Sequence, residues 1–110
     1  MRELTPAECS LLRYLMEKGG LERPDERWLA EVKVDGLDDG GMGSFVIVEP
    51  VNQGYDHVLS EVEFDDSDGI KVLASLYVDV NDRPCEVDLW KVDFSPLVTL
   101  PLLQHGRQGR

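Results

Sequence analysis

IKVLASLYVDV, residues 70–80, is the stretch whose alternation of apolar and polar side chains decides the fold. Ile70, Val72, Ala74, Leu76, Val78 and Val80 fall on one side of an extended chain, and the residues between them fall on the other. This period of two predicts a β-strand with one buried face. The flanking segments, DDSDG at 65–69 and NDRP at 81–84, have the composition of hairpin loops.

The same alternation extends to both sides of this strand. Between His57 and Phe64 it predicts a strand with Val58, Val62 and Phe64 on one face and His57, Glu61 and Glu63 on the other. After residue 84, Cys85, Val87 and Leu89 alternate with Glu86 and Asp88. Trp90, Val92 and Phe94 then continue on the opposite parity, which predicts a bulge or bend near Leu89–Trp90, because a slip of one residue exchanges the two faces.

The amino-terminal half predicts a helix followed by two strands. Thr5 as cap, Pro6 at the first helical position and Glu8 three residues after the cap predict a helix over 6–18, which Gly19 and Gly20 end. Residues 30–34 and 44–49 read as strands, while Trp28 and Leu29 fit either the first strand or a short helical turn before it.

The order of these elements predicts an α+β fold in which an N-terminal helix packs on one face of an antiparallel meander of about five strands. No second clear helical pattern separates the strands, which disfavours a parallel sheet. With 110 residues we expect one domain over 1–103 and a mobile tail over 104–110. Residues 97–103 are expected to lie against the edge of the core.

The segment GLDDGGMGSF, residues 36–45, admits three interpretations: a phosphate loop, a metal loop or a hairpin turn. It lacks the lysine and the following helix of a phosphate loop, and an apolar strand follows it instead. Its glycines and aspartates suit a turn, which is the interpretation we favour. DDSDG resembles part of a calcium loop, but Phe64 and Ser75 would occupy ligand positions that they cannot fill.

The composition excludes several function classes. The chain carries 22 acidic and 11 basic residues, for a net charge of −11, and the acidic excess lies between Val34 and Phe94. Nucleic acid is therefore disfavoured as a partner, and a basic protein is the natural candidate. No apolar run reaches the roughly 20 residues that cross a bilayer, and no signal peptide is recognisable, so we expect a cytoplasmic protein without a membrane partner.

No catalytic constellation is recognisable, so we expect a non-enzymatic protein without a cofactor. Ser44 lacks the spacing of a nucleophile elbow. Cys9 and Cys85 are expected to be free thiols, and together with His57 and His105 they lack the paired spacing of a zinc site. The oligomeric state stays open.

One constellation suggests a binding site. If neighbouring strands are antiparallel, their outward side chains form an acidic sheet face around one aromatic residue. A solvated surface is the plainer interpretation, and a docking surface for the lysines and arginines of a partner is the functional one. The predicted partner-binding residues are Glu61, Glu63, Tyr77, Asp79, Glu86 and Asp88, with Asp38 and Asp39 as an extension.

Two segments together resemble a known family. DGGMGSF at 39–45 and EVDLWKVDFSPL at 86–97 are similar to the DGGMGS-like and E-x-D-x-W-K-x-D-F-like segments of a family of small bacterial domains of unknown function. The resemblance covers most of the chain and implies no activity. It implies that Gly40, Gly41 and Gly43 serve the backbone, and that Trp90, Lys91 and Asp93 form a structural lock.

In size and charge the chain is also similar to the immunity proteins of contact-dependent inhibition systems. We therefore expect a protein-binding module that neutralises a basic, nuclease-like toxin. The alternative is a small ligand- or metal-binding domain that uses the Gly/Asp-rich loop and Asp65, Asp66 and Asp68.

Overall fold

A computed structural model describes residues 1–21 and 26–102. Six strands form one antiparallel sheet, and two helices contribute side chains to the core on one of its faces. The elements are β1 (Arg2–Glu3), α1 (Pro6–Lys18), α2 (Glu26–Glu31), β2 (Lys33–Gly36), β3 (Phe45–Glu49), β4 (His57–Asp65), β5 (Lys71–Val78) and β6 (Pro84–Lys91).

Helix α1 begins and ends where the sequence predicts. The Thr5 hydroxyl accepts from the Glu8 backbone N–H, and the Glu8 carboxylate accepts from the Thr5 backbone N–H, which completes the capping box. Arg2 adds a two-pronged ion pair to Glu8 and so ties β1 to the helix. The helix buries one apolar side against the sheet, with Leu11, Leu12, Leu15 and Met16.

The fold is α+β and its sheet is antiparallel, as predicted. The sheet has six strands in the order β1-β2-β3-β6-β5-β4, however, rather than about five in a simple meander. Strands β4, β5 and β6 are joined by short hairpin loops and do form a meander. The connection over residues 50–56 is long enough to carry the chain across the sheet, so β3 pairs with β6 instead of β4. Strand β1 adds two residues at the edge beside β2.

The predicted strand over 30–34 begins later than expected. Residues Glu26–Glu31 form the short helix α2, and Ala30 is exposed on it, while Leu29 and Val32 are buried in the core. Trp28 and Leu29 therefore belong to the helical turn, one of the two alternatives that the sequence allowed. Six residues are too few for a helical period to stand out from a strand period.

A bulge changes the faces of β4. Val58 lies opposite Tyr77 and Ser60 lies opposite Leu76, so the register shifts between them and Leu59 is the extra residue. Val58 consequently shares a face with Tyr77 and is 40% exposed, against the prediction that it points to the core. Leu59 packs against the core in its place, and Ser60 is buried and donates to the Leu15 carbonyl.

Strand β5 buries Val72, Ala74, Leu76 and Val78 as predicted, but Val80 is 64% exposed because the strand ends at Val78. The predicted bulge near Leu89–Trp90 is wrong. The register between β5 and β6 runs without interruption from Leu76–Val87 to Val72–Lys91. Trp90 therefore points away from the core, and Lys91 takes a core-side position with no exposed surface.

The segment after β6 returns along the end of the sheet, where Leu97 and Leu100 pack against the core as expected. The predicted mobile tail over 104–110 lies outside the described residues. Within 1–21 and 26–102, no helix is long and apolar enough to cross a membrane.

Candidate functional site

The sheet face that points away from the core carries most of the predicted acidic residues. Glu61 lies opposite Ser75, and Ser75 lies opposite Asp88, so the two carboxylates stand on either side of a buried serine. Two residues further along the strands, on the same face, Tyr77 lies opposite Glu86. Cross-strand partners share a face, which places these side chains on one surface. We call this surface the outer face; its predicted members are Glu61, Glu63, Tyr77, Glu86 and Asp88.

The pKa values of Tyr77 and Glu86 are both raised, first by burial and then by neighbouring carboxylates. Burial, then the charges of Asp88 and Glu86, raise the pKa of the Tyr77 hydroxyl. Burial and the neighbouring Asp88 raise the pKa of the Glu86 carboxyl. The smaller contribution, from neighbouring carboxylates, is the part of each shift that a bound cation would relieve.

Three carboxylates of the outer face have polar partners within the domain, and for Asp88 the partner is the Ser44 hydroxyl at 3.3 Å. The Glu61 carboxylate accepts a hydrogen bond from the Ser75 hydroxyl at 3.1 Å, which orients it across the strands. Lys71 lies 3.8 Å from Glu63 and 3.6 Å from Asp65, so it neutralises the Glu63 end of the face. The uncompensated charge is therefore concentrated at Glu61, Glu86 and Asp88.

Aromatic rings flank these carboxylates. The rings of Tyr55 and Tyr77 lie 5.1 Å apart at one end, and Trp90 lies 6.0 Å from Phe94 at the other. Trp90 is 42% exposed and Phe94 is 67% exposed. The outer face thus combines negative charge with exposed rings, a combination that suits cationic side chains.

Three of the predicted partner-binding residues do not lie on the outer face. Asp79 is fully buried, and its carboxylate accepts the backbone N–H groups of Gln53, Asn81 and Arg83. Burial alone would raise the pKa of the Asp79 carboxyl, but these hydrogen bonds hold that pKa below its ordinary value. It organises the β5–β6 hairpin loop, where a carboxylate is the natural acceptor for converging N–H groups.

Asp39 has a similar role in the β2–β3 loop, where it accepts the backbone N–H groups of Met42, Gly43 and Ser44. The Ser44 and loop contacts hold its pKa low against the opposing effect of burial. Asp38 is exposed at the same loop. Neither aspartate is part of the outer-face strands, so the proposed extension at this loop is a separate feature.

Lys91 is the centre of a buried ionic cluster that the sequence reading did not predict in detail. Its ammonium lies 2.8 Å from Asp66, 2.6 Å from Asp68 and 3.0 Å from the Pro96 carbonyl oxygen. Burial alone would lower the pKa of Lys91, but the two aspartates raise it above its ordinary value. The lysine is therefore a charged structural element. Of the three residues in the predicted lock, only Lys91 belongs to this cluster, since Trp90 and Asp93 are exposed.

Asp66 joins this cluster to the segment after β6. Its carboxylate has no exposed surface and also accepts the backbone N–H groups of Ser67, Val98 and Thr99. These contacts and Lys91 together hold the pKa of Asp66 far below its ordinary value despite the cost of burial. One aspartate thus fixes a turn, a lysine and the returning chain.

The DGGMGS segment is the turn between β2 and β3, and it rests against the same returning chain. The Gly41 carbonyl accepts the Leu97 N–H at 3.0 Å, and a Cβ on Gly41 would lie 3.1 Å from Pro96. Gly43 has a φ of +99°, and a Cβ there would lie 3.2 Å from Leu89 and Leu97. The glycines therefore serve close packing and a left-handed backbone, as the resemblance implied.

Ser44, the last residue of this turn, connects the turn to strand β6. Its buried hydroxyl accepts the Leu89 N–H at 2.8 Å and lies 3.3 Å from Asp88. It continues the β3–β6 pairing beyond Phe45–Val87 with a side chain. The segments that carry the family resemblance therefore meet in space. The sequence model of one family, Domain of unknown function (DUF6984), matches residues 1–101.

The chain belongs to the DUF6984 family. No curated protein and no solved structure matches it. The match spans nearly the whole chain, in agreement with the expected membership of a domain-of-unknown-function family. In this DUF6984 domain the matched region includes both the outer face and the Lys91 cluster.

Sequence reasoning missed the inward role of three aspartates of this DUF6984 domain: it assigned Asp79 to a face by strand parity, and it placed Asp39 and Asp66 in turns without predicting what their carboxylates accept. Asp39, Asp66 and Asp79 all stand at the start of turns, where a carboxylate can accept N–H groups one to five residues ahead. That position is the signal that separates them from Glu61, Glu86 and Asp88, which lie inside strands.

Proposed function

We propose that this domain is a non-catalytic protein-binding module whose outer face docks on a basic surface of a protein partner. The observation that carries the proposal is the placement of Glu61, Glu86 and Asp88 around half-buried Tyr77 on one sheet face. Like charges held this close destabilise the fold unless something offsets them. A cationic partner would supply that offset on binding.

The charge of the whole chain supports the same proposal. A net charge of −11 creates a long-range field that steers basic proteins toward the domain and repels nucleic acid. The inward aspartates engage backbone N–H groups or Lys91, whereas the outer-face carboxylates are directed to the surface. The outer face is the part of the acidic excess that a regular sheet surface gathers in one place.

Within this proposal, the specific role we favour is that of an immunity protein which neutralises a basic, nuclease-like toxin in the cytoplasm. An acidic surface can cover a phosphate-binding site, because that site is built from the same lysines and arginines that would pair with carboxylates. The support is the size of the domain together with the concentration of charge on one face.

The loops give less support to a metal- or ligand-binding role. The Lys91 ammonium stands between Asp66 and Asp68, in the position where a cation would neutralise those carboxylates. Asp65 is turned toward Lys71 instead. The Asp39 carboxylate holds three backbone N–H groups of its own loop. These contacts account for the acidic loops through folding, so the protein-binding role is the one we carry forward.

Affinity capture from the native host, followed by mass spectrometry, tests the proposal with a matched pair of variants. Glu61→Lys with Glu86→Lys reverses two charges on the outer face. Glu31→Lys with Glu49→Lys makes the same change in net charge at exposed positions on α2 and at the end of β3. We expect the outer-face variant to lose the captured basic protein and the control to retain it, with affinity that falls as salt rises.

The experiment distinguishes a surface from a general charge effect. Equal loss in both variants would mean that net charge alone drives association. Retention in both would mean that the partner uses another surface, and the outer-face proposal would be wrong. Recovery of a toxin-like basic protein would support the immunity role in particular, whereas a basic partner of another kind would support only the broader one.

A further inference from the structure

The outward side chains of Glu86–Phe94 form a strip that joins acidic and aromatic groups. Val87, Leu89 and Lys91 point to the core, so the alternate positions Glu86, Asp88 and Trp90 point to the outer face. After the strand, a turn brings the Phe94 ring to 6.0 Å from the Trp90 ring, with 57° between their planes. We call Glu86, Asp88, Trp90 and Phe94 the aromatic–acidic strip.

Phe94 is held in an unusual way for an exposed residue. Its φ is +65°, in the left-handed region that a bulky side chain rarely adopts, yet its ring remains 67% exposed. The turn is fixed by a hydrogen bond from the Phe94 N–H to the Lys91 carbonyl and by Asp93, which accepts from Ser95. Burial does not account for a phenylalanine at this position; its ring is held at the surface beside Trp90.

We propose that the aromatic–acidic strip recognises arginine side chains of the protein partner, an inference that rests on the proposed function and names the chemistry of the partner. A guanidinium plane stacks on an indole or phenyl ring and pairs with a carboxylate at its edge, and the strip offers both. An ammonium makes the ionic contact but lacks the stacking plane. The strip therefore distinguishes arginine from lysine.

The charge of the strip decides against other occupants. A second copy of this chain carries the same net charge of −11 and the same carboxylates, so the two strips would repel each other. An apolar partner would bury Glu86 and Asp88 without a counter-charge, which is costly. A cationic segment satisfies the rings and the carboxylates at once.

The spacing of the strip predicts how such a segment lies. Alternate residues of a strand are roughly 6.5–7 Å apart, so Glu86, Asp88 and Trp90 form an evenly spaced row along β6. An extended partner segment with arginine at every second position has the same repeat. One arginine would stack at Trp90 and Phe94, and the next would pair with Asp88 or Glu86.

Two capped peptides test this inference, Arg-Gly-Arg-Gly-Arg and Lys-Gly-Lys-Gly-Lys, each titrated at about 20 mM salt, where screening is weak. The protein carries Trp28→Phe, so that Trp90 is the only tryptophan and its fluorescence reports on the strip. We expect the arginine peptide to change Trp90 emission and to bind about three- to fivefold more tightly than the lysine peptide, the preference that stacking on exposed rings supplies.

Matched variants assign that preference to the strip. Phe94→Asn removes one of the two rings but keeps a residue that tolerates the left-handed turn, so the fold should persist by circular dichroism while the preference for arginine falls, with Trp90 as the remaining stacking surface. Glu86→Gln with Asp88→Asn should weaken both peptides alike, because it removes the ionic contact and leaves the rings in place.

Each other outcome overturns the inference. Equal affinity for the two peptides would mean that the face reads charge alone, which refutes arginine recognition and leaves the proposed function intact. Binding of neither peptide would also refute it, and the charge-reversal capture would then judge the proposed function by itself. Self-association in sedimentation that Phe94→Asn abolishes would identify a second copy as the occupant and would refute the inference too.

Discussion

Asp66→Asn provides a severe test of the Lys91 cluster, because it removes one charge and keeps the shape of the side chain. Asp66 and Lys91 are both fully buried and 2.8 Å apart. Removing one partner of a buried ion pair costs about 3–5 kcal/mol when the other charge is left unpaired, but here Lys91 keeps a second carboxylate, that of Asp68, at 2.6 Å. Asparagine retains one acceptor oxygen for the Val98 or Thr99 N–H, so we expect the lower end, about 3 kcal/mol of unfolding free energy.

The neighbouring aspartates supply matched controls for the same substitution. Asp68 also contacts Lys91 but is 39% exposed, so Asp68→Asn should cost about 1–2 kcal/mol. Asp65 is 69% exposed and lies 3.6 Å from Lys71, so Asp65→Asn should change stability by at most about 0.5 kcal/mol. The expected order of destabilisation is therefore Asp66, then Asp68, then Asp65.

Thermal and urea unfolding followed by circular dichroism measure this order. A loss of about 3 kcal/mol corresponds to a fall in Tm of roughly 12–24 °C for a domain of this size. Adding Lys91→Met to Asp66→Asn should cost less than the sum of the two single losses, because the two side chains share one ionic contact. If Asp66→Asn were as mild as Asp65→Asn, the ionic cluster would not hold the returning chain and the reasoning would be wrong.

Three further predictions concern the inward groups. The pKa values of Asp39, Asp66 and Asp79 are lowered in the folded state, so their ionisation stabilises the fold at pH values above the unfolded pKa of about 3.9. This stability is lost as pH falls below that value. Tm should therefore drop steeply below about pH 4, and less steeply in Asp66→Asn. Gly43→Ala should cost more than Gly20→Ala by unfolding free energy, since both have positive φ but only Gly43 faces Leu89 and Leu97 at 3.2 Å. Asp79→Ala should raise hydrogen exchange at residues 79–83 before it affects β5, because three backbone N–H groups lose their acceptor; uniform exchange across the sheet would contradict this role.

Much of the fold could be predicted from the sequence, since it depends on local patterns. The capping box places α1, and the alternation of Val72 to Val78 places β5 with its buried face. The errors arise where one contact outweighs the pattern. The alternation after Leu89 suggested a slip because a lysine at a core position is rare, and only the aspartates of a distant turn make Lys91 acceptable there.

Some residues of the candidate site could likewise be predicted from local patterns, and others could not. Parity was sufficient to bring Glu61, Glu86 and Asp88 onto one face, because β4, β5 and β6 are joined by short hairpins that fix their neighbours. It failed for Asp79, which follows the last strand residue and obeys turn chemistry instead. The bulge at Leu59, which sends Val58 to the outer face, has no local signal beyond a run of three non-alternating residues.

The two sets of carboxylates differ in what offsets their charge. Those of the inward set engage Lys91 or converging backbone N–H groups, so their ionisation stabilises the fold and their pKa values fall. On the outer face, Glu86 has a raised pKa because burial and Asp88 both oppose its ionisation, so its charge works against the folded state. Neutralising Glu86 and Asp88 should therefore leave the domain as stable or more stable while weakening the binding of a basic partner, whereas neutralising Asp66 should destabilise it by about 3 kcal/mol. That separation is expected when one set of acids is retained for folding and the other for binding.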